Sequence, residues 1–305
     1  MLTFPVFVVL AFFARILDGV TFDRYEPWIV FALQVGIAVL LVLISYEYQI
    51  IRKKTFLPAI FFMIFTASNP VLYDNIEGAV SAFAMVLCVI ISFKNYHNPK
   101  SQTASFNIAL ILTVGSVFCW PPLIFFIPLF WVGFWLFRAL NTRSFFASLI
   151  GIFTIYLLLF AWCVYRNNLN FFYEKLPLFN DITSVEWIEL QWYNWVVIVF
   201  FVFLLLLSAI NIFVLGFSEK IRTTLFFKFL YLLTVTLFVF ACLFDSFVNA
   251  IQTSIYFSIA FISGFYFAMN DKNKLVTYLL IFTILFFITS YVLRLRVVDF
   301  LYLTK

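Results

Sequence analysis

Residues 196–217 read VVIVFFVFLLLLSAINIFVLGF and contain no charged side chain. A helix needs about 20 consecutive apolar residues to cross roughly 30 Å of hydrocarbon, so this stretch predicts a transmembrane helix. The whole chain has the same character, because 65% of its residues are hydrophobic and only 11% are charged. A soluble domain carries about 25% charged residues. The sequence therefore predicts an all-α, polytopic integral membrane protein with the lipid bilayer as its main partner.

The apolar runs are separated by short polar connections and show no internal repeat, which predicts a single transmembrane domain over residues 1–305. Residues 2–17 are interpreted as a retained first span, because no basic segment precedes them. About eleven spans are predicted from run length, at residues 2–17, 27–46, 56–72, 76–93, 105–120, 122–137, 146–165, 194–217, 225–244, 250–269 and 274–293.

The uncharged run 105–137 is flanked by basic residues on both sides, so both of its ends should face the same side of the membrane. Trp120-Pro121-Pro122 provides the break, since proline lacks an amide donor and disfavours helix at the residue before it. Residues 105–137 are therefore predicted to form a short hairpin of two helices that meet at the two prolines.

The basic residues indicate the orientation, because cytoplasmic loops collect Lys and Arg. Most of them follow even-numbered spans, namely Arg52, Lys53, Lys54, Lys94, Lys100, Arg138, Arg143, Lys220, Arg222, Lys272 and Lys274. This pattern predicts a bacterial inner (plasma) membrane protein with a cytoplasmic N-terminus and an external loop at 166–193. It also argues against nucleic acid as the partner of the net positive charge.

The sequence offers few groups for metal or cofactor chemistry. The four cysteines lie singly inside apolar runs, and His97 is the only histidine. No CxxC motif, glycine-rich nucleotide loop or HExxH motif is present, so no metal site is predicted and the cofactor stays unknown. The 46 phenylalanines follow no fixed period, and we interpret them as mainly lipid-facing residues.

Ionisable residues at the external membrane face are the candidates for chemistry, because charges at membrane depth are costly. Carboxylates could act as a general base, for which the candidates are Asp18, Asp23 and Asp74. Arginines could hold a phosphate, and a further carboxylate could orient an acceptor. These substrate-binding candidates are Arg15, Arg24, Glu77 and Arg166. The alternative interpretation is that these residues are ordinary solvated charges in loops, where acids also favour helix N-termini. This alternative applies to Glu26 as well.

Three segments resemble the C-type membrane glycosyltransferases, which use lipid-linked sugars. Residues 68–73 read SNPVLY, a small-residue helix GAVSA follows at 78–82, and residues 115–122 read GSVFCWPP before an apolar stretch that ends at Arg138. The resemblance implies catalysis by external carboxylates on a polyprenyl-phosphate-linked substrate. The first external loop is shorter than the family usually has. Residues 121–151 also resemble a bacterial polytopic membrane family of unknown function.

Three functions stay open at this point. The resemblance implies a glycosyltransferase-like enzyme at the outer face of the inner membrane. The first alternative is a non-catalytic membrane subunit or scaffold of an envelope complex, which would have other envelope proteins as partners. The second alternative is a transporter or flippase, although no two halves of the chain look alike as they do in many transporters.

Overall fold

A computed structural model describes residues 3–19, 24–47, 55–176, 192–212, 221–243, 245–270 and 273–303. The described residues are helical and contain no strand. They form twelve α-helices: α1 (Thr3–Leu17), α2 (Tyr25–Glu47), α3 (Leu57–Ala67), α4 (Ile76–Lys94), α5 (Gln102–Phe118), α6 (Ile127–Leu136), α7 (Thr142–Tyr165), α8 (Leu169–Glu174), α9 (Trp192–Ile210), α10 (Ile221–Leu243), α11 (Asp245–Met269) and α12 (Lys274–Leu303).

Several of these helices are long and apolar enough to cross a membrane. Within the described ranges six of them qualify, namely α2, α4, α7, α10, α11 and α12. Five shorter apolar helical segments coincide with the remaining predicted spans: Phe4–Leu17, Leu57–Ala67, Gln102–Phe118, Pro121–Leu136 and Trp195–Ile210. The chain is thus a multi-pass helical membrane protein, and the count of about eleven spans stays a prediction.

The structure differs from the predicted spans at the end of the third span and within the expected external loop. The third span was expected to reach residue 72, but α3 ends at Ala67. Pro70 then starts a separate 3-10 turn, Pro70–Leu72, with Asn69 as its N-cap. Proline cannot donate to the preceding helical turn, which explains the early end. The short helix α8 was not predicted and lies within the expected external loop, of which residues 177–191 fall outside the described residues.

The predicted break in residues 105–137 is confirmed. Helix α5 ends at Phe118, a 3-10 segment runs over Pro121–Phe126, and α6 follows it. The Ser101 hydroxyl donates to the carbonyl of Ala139 at the far end of the run. Both ends of the run therefore lie together, as a hairpin requires.

The chain divides into two compact units. Unit 1 comprises Met1–Ala79, Glu186–Glu219 and Ile255–Lys305, and unit 2 comprises Val80–Val185 and Lys220–Ser254. In unit 1, α1, α2 and α12 each pack against α3. In unit 2, α5 packs against α7. The single transmembrane domain expected from the sequence stays a prediction.

Close helix contacts depend on glycine in both units. In unit 1, a Cβ on Gly264 of α11 would lie 2.7 Å from the backbone of Pro58 in α3. In unit 2, a Cβ on Gly151 of α7 would lie 2.9 Å from the carbonyl oxygen of Phe106 in α5. Any larger residue at either position would force the two helix backbones apart.

The interpretation of phenylalanine as mainly lipid-facing is wrong for two buried clusters. In unit 1, the Phe65 ring lies 4.7 Å from that of Phe287 and 5.0 Å from that of Phe201. In unit 2, the rings of Phe93 and Phe226 stack at 4.1 Å. Aromatic pairs at these distances contribute packing energy beyond their buried area. Sequence period could not reveal them, because the paired residues are far apart in the chain.

Candidate functional site

Arg15 lies in the last turn of α1, and its side chain is only 1% exposed. Its Nη2 donates to Oε1 of Gln34 at 2.5 Å, and its Nη1 donates to the carbonyl of Pro27 at 3.4 Å. Burying a charge is costly unless hydrogen bonds compensate for the lost water. Arg15 was expected in the external loop as a phosphate-binding residue, but it belongs to α1 and is bonded within the protein.

Aromatic rings flank the same guanidinium group. The Arg15 Cζ lies 4.6 Å from the ring centroid of Phe31 and 4.9 Å from that of Tyr73. Such cation–π contacts are strongest where water is excluded, as it is here. Both rings therefore help to keep a charged side chain inside the bundle.

Gln34 connects Arg15 to the next polar segment. It is 1% exposed, and its Nε2 donates to the carbonyl of Leu72 at 3.1 Å. The Tyr73 hydroxyl donates to the carbonyl of Ala67 at 2.6 Å, which satisfies an acceptor at the C-terminal end of α3. This Arg15 cluster (Arg15, Phe31, Gln34, Tyr73) thus joins α1, α2 and the turn after α3 by hydrogen bonds.

Asp74 is a predicted catalytic carboxylate that the structure brings to this cluster. Its charge interacts favourably with Arg15, while its own side chain is exposed. The neighbouring Asn75 accepts from the backbone amide of Gly78 at 2.8 Å, and Glu77 lies exposed in the first turn of α4. An acid in the first turn stabilises a helix through its dipole, so Glu77 has a structural role available.

Of the other predicted site residues, Asp18 and Arg24 lie near the ends of α1 and α2 in unit 1, and Arg166 lies in unit 2. Asp18 is half-buried in the turn after α1, and Arg24 is exposed before α2. Arg166 belongs to unit 2, where its exposed guanidinium lies 4.9 Å from the ring of Trp162. Asp23 lies outside the described residues. The predicted roles of all seven residues stay predictions.

Two polar residues that the sequence analysis did not select are part of the same region. Gln34 is a lone amide within an apolar span, and such a residue was a usable signal because membrane spans rarely contain one without an internal partner. Asn69 accepts from the amide of Val71 and donates from Nδ2 to the hydroxyl of Tyr256 in α11 at 3.1 Å. The residue pattern alone gave no sign of that contact.

The arrangement leaves a limited set of groups for chemistry. The oxygens of Asp74 and Glu77 are accessible, whereas Arg15 donates to Gln34 and Pro27. These two bonds use two of the five N–H donors of Arg15, and at 1% exposure the guanidinium is closed to a phosphate from outside the bundle. Within the described ranges, no group of three or more His, Cys, Asp or Glu residues is placed to hold a metal ion.

Comparison with known proteins gave no match among family models, curated proteins or solved structures.

Proposed function

We propose that this chain is a non-catalytic membrane subunit or scaffold of a bacterial envelope complex. The observation that carries the proposal is the closed environment of Arg15. A cation for lipid phosphate needs donors that face the substrate, but the guanidinium of Arg15 is 1% exposed, donates to two carbonyl oxygens of the protein and is flanked by two aromatic rings. Its best-supported role is to fix three helices of unit 1.

A glycosyltransferase-like enzyme acting on a polyprenyl-phosphate-linked substrate is the second candidate. The observation that favours it is the favourable interaction of Asp74 with Arg15 beside the exposed Glu77. A carboxylate held near an arginine could act as a base toward an acceptor hydroxyl. In this candidate, Asp18 or Asp23 would share that role, and Arg24 or Arg166 would hold the phosphate.

Substitution of the carboxylates distinguishes the two candidates. A strain lacking this chain would be complemented with a variant that carries Asp18→Asn, Asp23→Asn and Asp74→Asn, at matched membrane levels. A scaffold retains full complementation, because these substitutions are nearly isosteric and spare the buried bonds of Arg15. Loss of complementation by the triple variant, with normal protein levels, would support the enzyme and contradict the scaffold.

The matched control variant is Gln34→Leu, which leaves every candidate carboxylate intact but removes the acceptor of Arg15. A scaffold that depends on the geometry of unit 1 should lose function with this variant, together with its migration as a larger complex in native gels.

The proposal includes an inner-membrane location with a cytoplasmic N-terminus. In a variant without native cysteines, a cysteine at Asn168 should react with a membrane-impermeant reagent added outside. A cysteine at Asn98 should react only after the membrane is opened. The reverse pattern would contradict the orientation.

A further inference from the structure

A basic surface lies at one end of unit 2, where α4 ends and α7 begins. Lys94, Lys100, Arg138 and Arg143 are all exposed there. The sequence contains no Asp or Glu between Gly78 and Tyr173, so no acid on these elements neutralises them. We call these four residues the basic surface. Its positive charge can attract an anion from outside the protein.

Three hydrogen bonds hold together the two loops that carry this surface. The amide of His97 donates to the carbonyl of Phe137 at 3.0 Å, and Asn141 Nδ2 donates to the carbonyl of Pro99 at 2.8 Å. The third is the bond from Ser101 to Ala139. Loop 95–101 and loop 137–141 are therefore fixed to each other. These hydrogen bonds also fix the backbone that carries the basic side chains.

The backbone at Arg138 is unusual for an arginine. Its φ is +54°, and that of His97, whose amide bonds to the residue before Arg138, is +58°. Left-handed conformation after a helix is normally filled by glycine, because a Cβ makes it unfavourable. An arginine at this position keeps the backbone strained, whereas glycine would relieve the strain but would lack the guanidinium. The strain therefore points to a role for the guanidinium.

Aromatic rings pack against the two loops. The Tyr96 ring lies 5.7 Å from that of Phe226 and 6.3 Å from that of Phe137. The guanidinium of Arg222, at the start of α10, lies 5.4 Å from the Tyr96 ring. A third segment of the chain thus brings a basic residue to the same loops.

The geometry points to a binding site for the phosphate of an anionic lipid headgroup on the basic surface, with Arg138 as its central residue. The loops lie at the ends of α4 and α7, and Arg222 lies at the start of α10, and all three helices are long and apolar enough to span a membrane. Such ends lie at the level of the headgroups, where lipid phosphate is the most concentrated anion. Each Lys or Arg near an anionic membrane surface contributes roughly a fivefold gain in affinity.

The experiment measures lipid binding to the full chain in neutral detergent. Phosphatidylglycerol is titrated against the purified protein, and bound lipid is counted by native mass spectrometry, with phosphatidylcholine as the neutral comparison. We expect phosphatidylglycerol to bind preferentially, and Arg138→Gly to weaken its apparent Kd about fivefold. Glycine suits the left-handed backbone, so this variant should fold at least as well as the wild type.

Arg143→Gln serves as a second variant on the basic surface and should weaken binding similarly. Lys175→Gln is the matched control, because Lys175 is a basic residue of unit 2 that follows α8, beyond the opposite end of α7, and belongs to no candidate site. Equal binding of both lipids, or equal losses in Arg138→Gly and Lys175→Gln, would overturn the proposal. Full displacement of the lipid by millimolar inorganic phosphate would also overturn it, in favour of a site for a soluble anion.

Discussion

Arg15 and Arg138 show two opposite ways in which this protein accommodates a cation at a helix end. Arg15, in unit 1, is 1% exposed and is bonded to Gln34 and Pro27. Arg138, in unit 2, is exposed and has a backbone conformation that glycine would adopt more easily. Arg15 strengthens its surroundings through its bonds, whereas Arg138 is held at a cost to the local backbone.

The difference shows how the role of a membrane arginine can be judged. A buried guanidinium with all its neighbours inside the protein is explained by the fold, since removing a partner would leave a charge unpaired. An exposed guanidinium on a strained backbone is not explained by the fold, because folding alone would favour its replacement. Variants of the two sites should therefore change stability in opposite directions.

The largest effect is expected for Gln34→Leu, which leaves the buried guanidinium of Arg15 without its closest acceptor. An unpaired buried charge should lower the free energy of unfolding by about 3 kcal/mol. The measurement is reversible unfolding of the purified protein in mixed detergent micelles. Adding Arg15→Met to Gln34→Leu should recover much of the loss, because no buried charge then remains. Equal stability of the single and double variants would contradict this account of the cluster.

The next effect is expected at Tyr73, where the ring and the hydroxyl can be separated. Tyr73→Phe keeps the ring beside Arg15 but loses the hydrogen bond to Ala67, and should cost about 1 kcal/mol. Tyr73→Leu also loses the cation–π contact, and should cost about 2 kcal/mol in total. The same unfolding measurement tests both. Identical losses would show that the ring does not stabilise the guanidinium.

A smaller effect is expected for Asp74→Asn. The carboxylate is exposed, so water and salt screen its attraction to Arg15, and exposed pairs contribute below about 1 kcal/mol. The loss should shrink as ionic strength rises, which unfolding at low and high salt would measure. A loss as large as that of Gln34→Leu would mean that Asp74 is as important a partner of Arg15 as Gln34 is.

The smallest effect should have the opposite sign. Arg138→Gly removes backbone strain, partly offset by the greater freedom of glycine in the unfolded chain, for a net gain of about 0.5 kcal/mol. Asn167→Gly is the control, because φ at Asn167 is also left-handed, at +53°, and asparagine tolerates this conformation better. Lower stability of Arg138→Gly in neutral detergent would show that the guanidinium stabilises the fold itself.

Helix positions were largely predictable from sequence, and side-chain partners were not. Run length located each helix of ten or more residues in the described part of the chain, and Trp120-Pro121-Pro122 located the break between α5 and α6, because both depend on local sequence. The inward position of Arg15 depends on Gln34 and Tyr73, which are distant in the chain. A basic side chain at a helix end can point either to water or into the helix bundle. For Arg15, the partners Gln34 and Tyr73 decide between the two orientations.

The contact of Gly151 with Phe106 has a consequence for how the chain enters the membrane during synthesis. Helix α5 has 17 residues, which span about 26 Å at 1.5 Å per residue, less than the hydrocarbon thickness. It also contains Asn107 and Thr113, which disfavour insertion of an isolated segment. Its backbone packs on that of α7, which the ribosome makes later. If α5 is one of the predicted spans, its stable insertion should depend on α7, and a nascent chain that stops at residue 140 is expected to leave α5 accessible to chaperones and proteases.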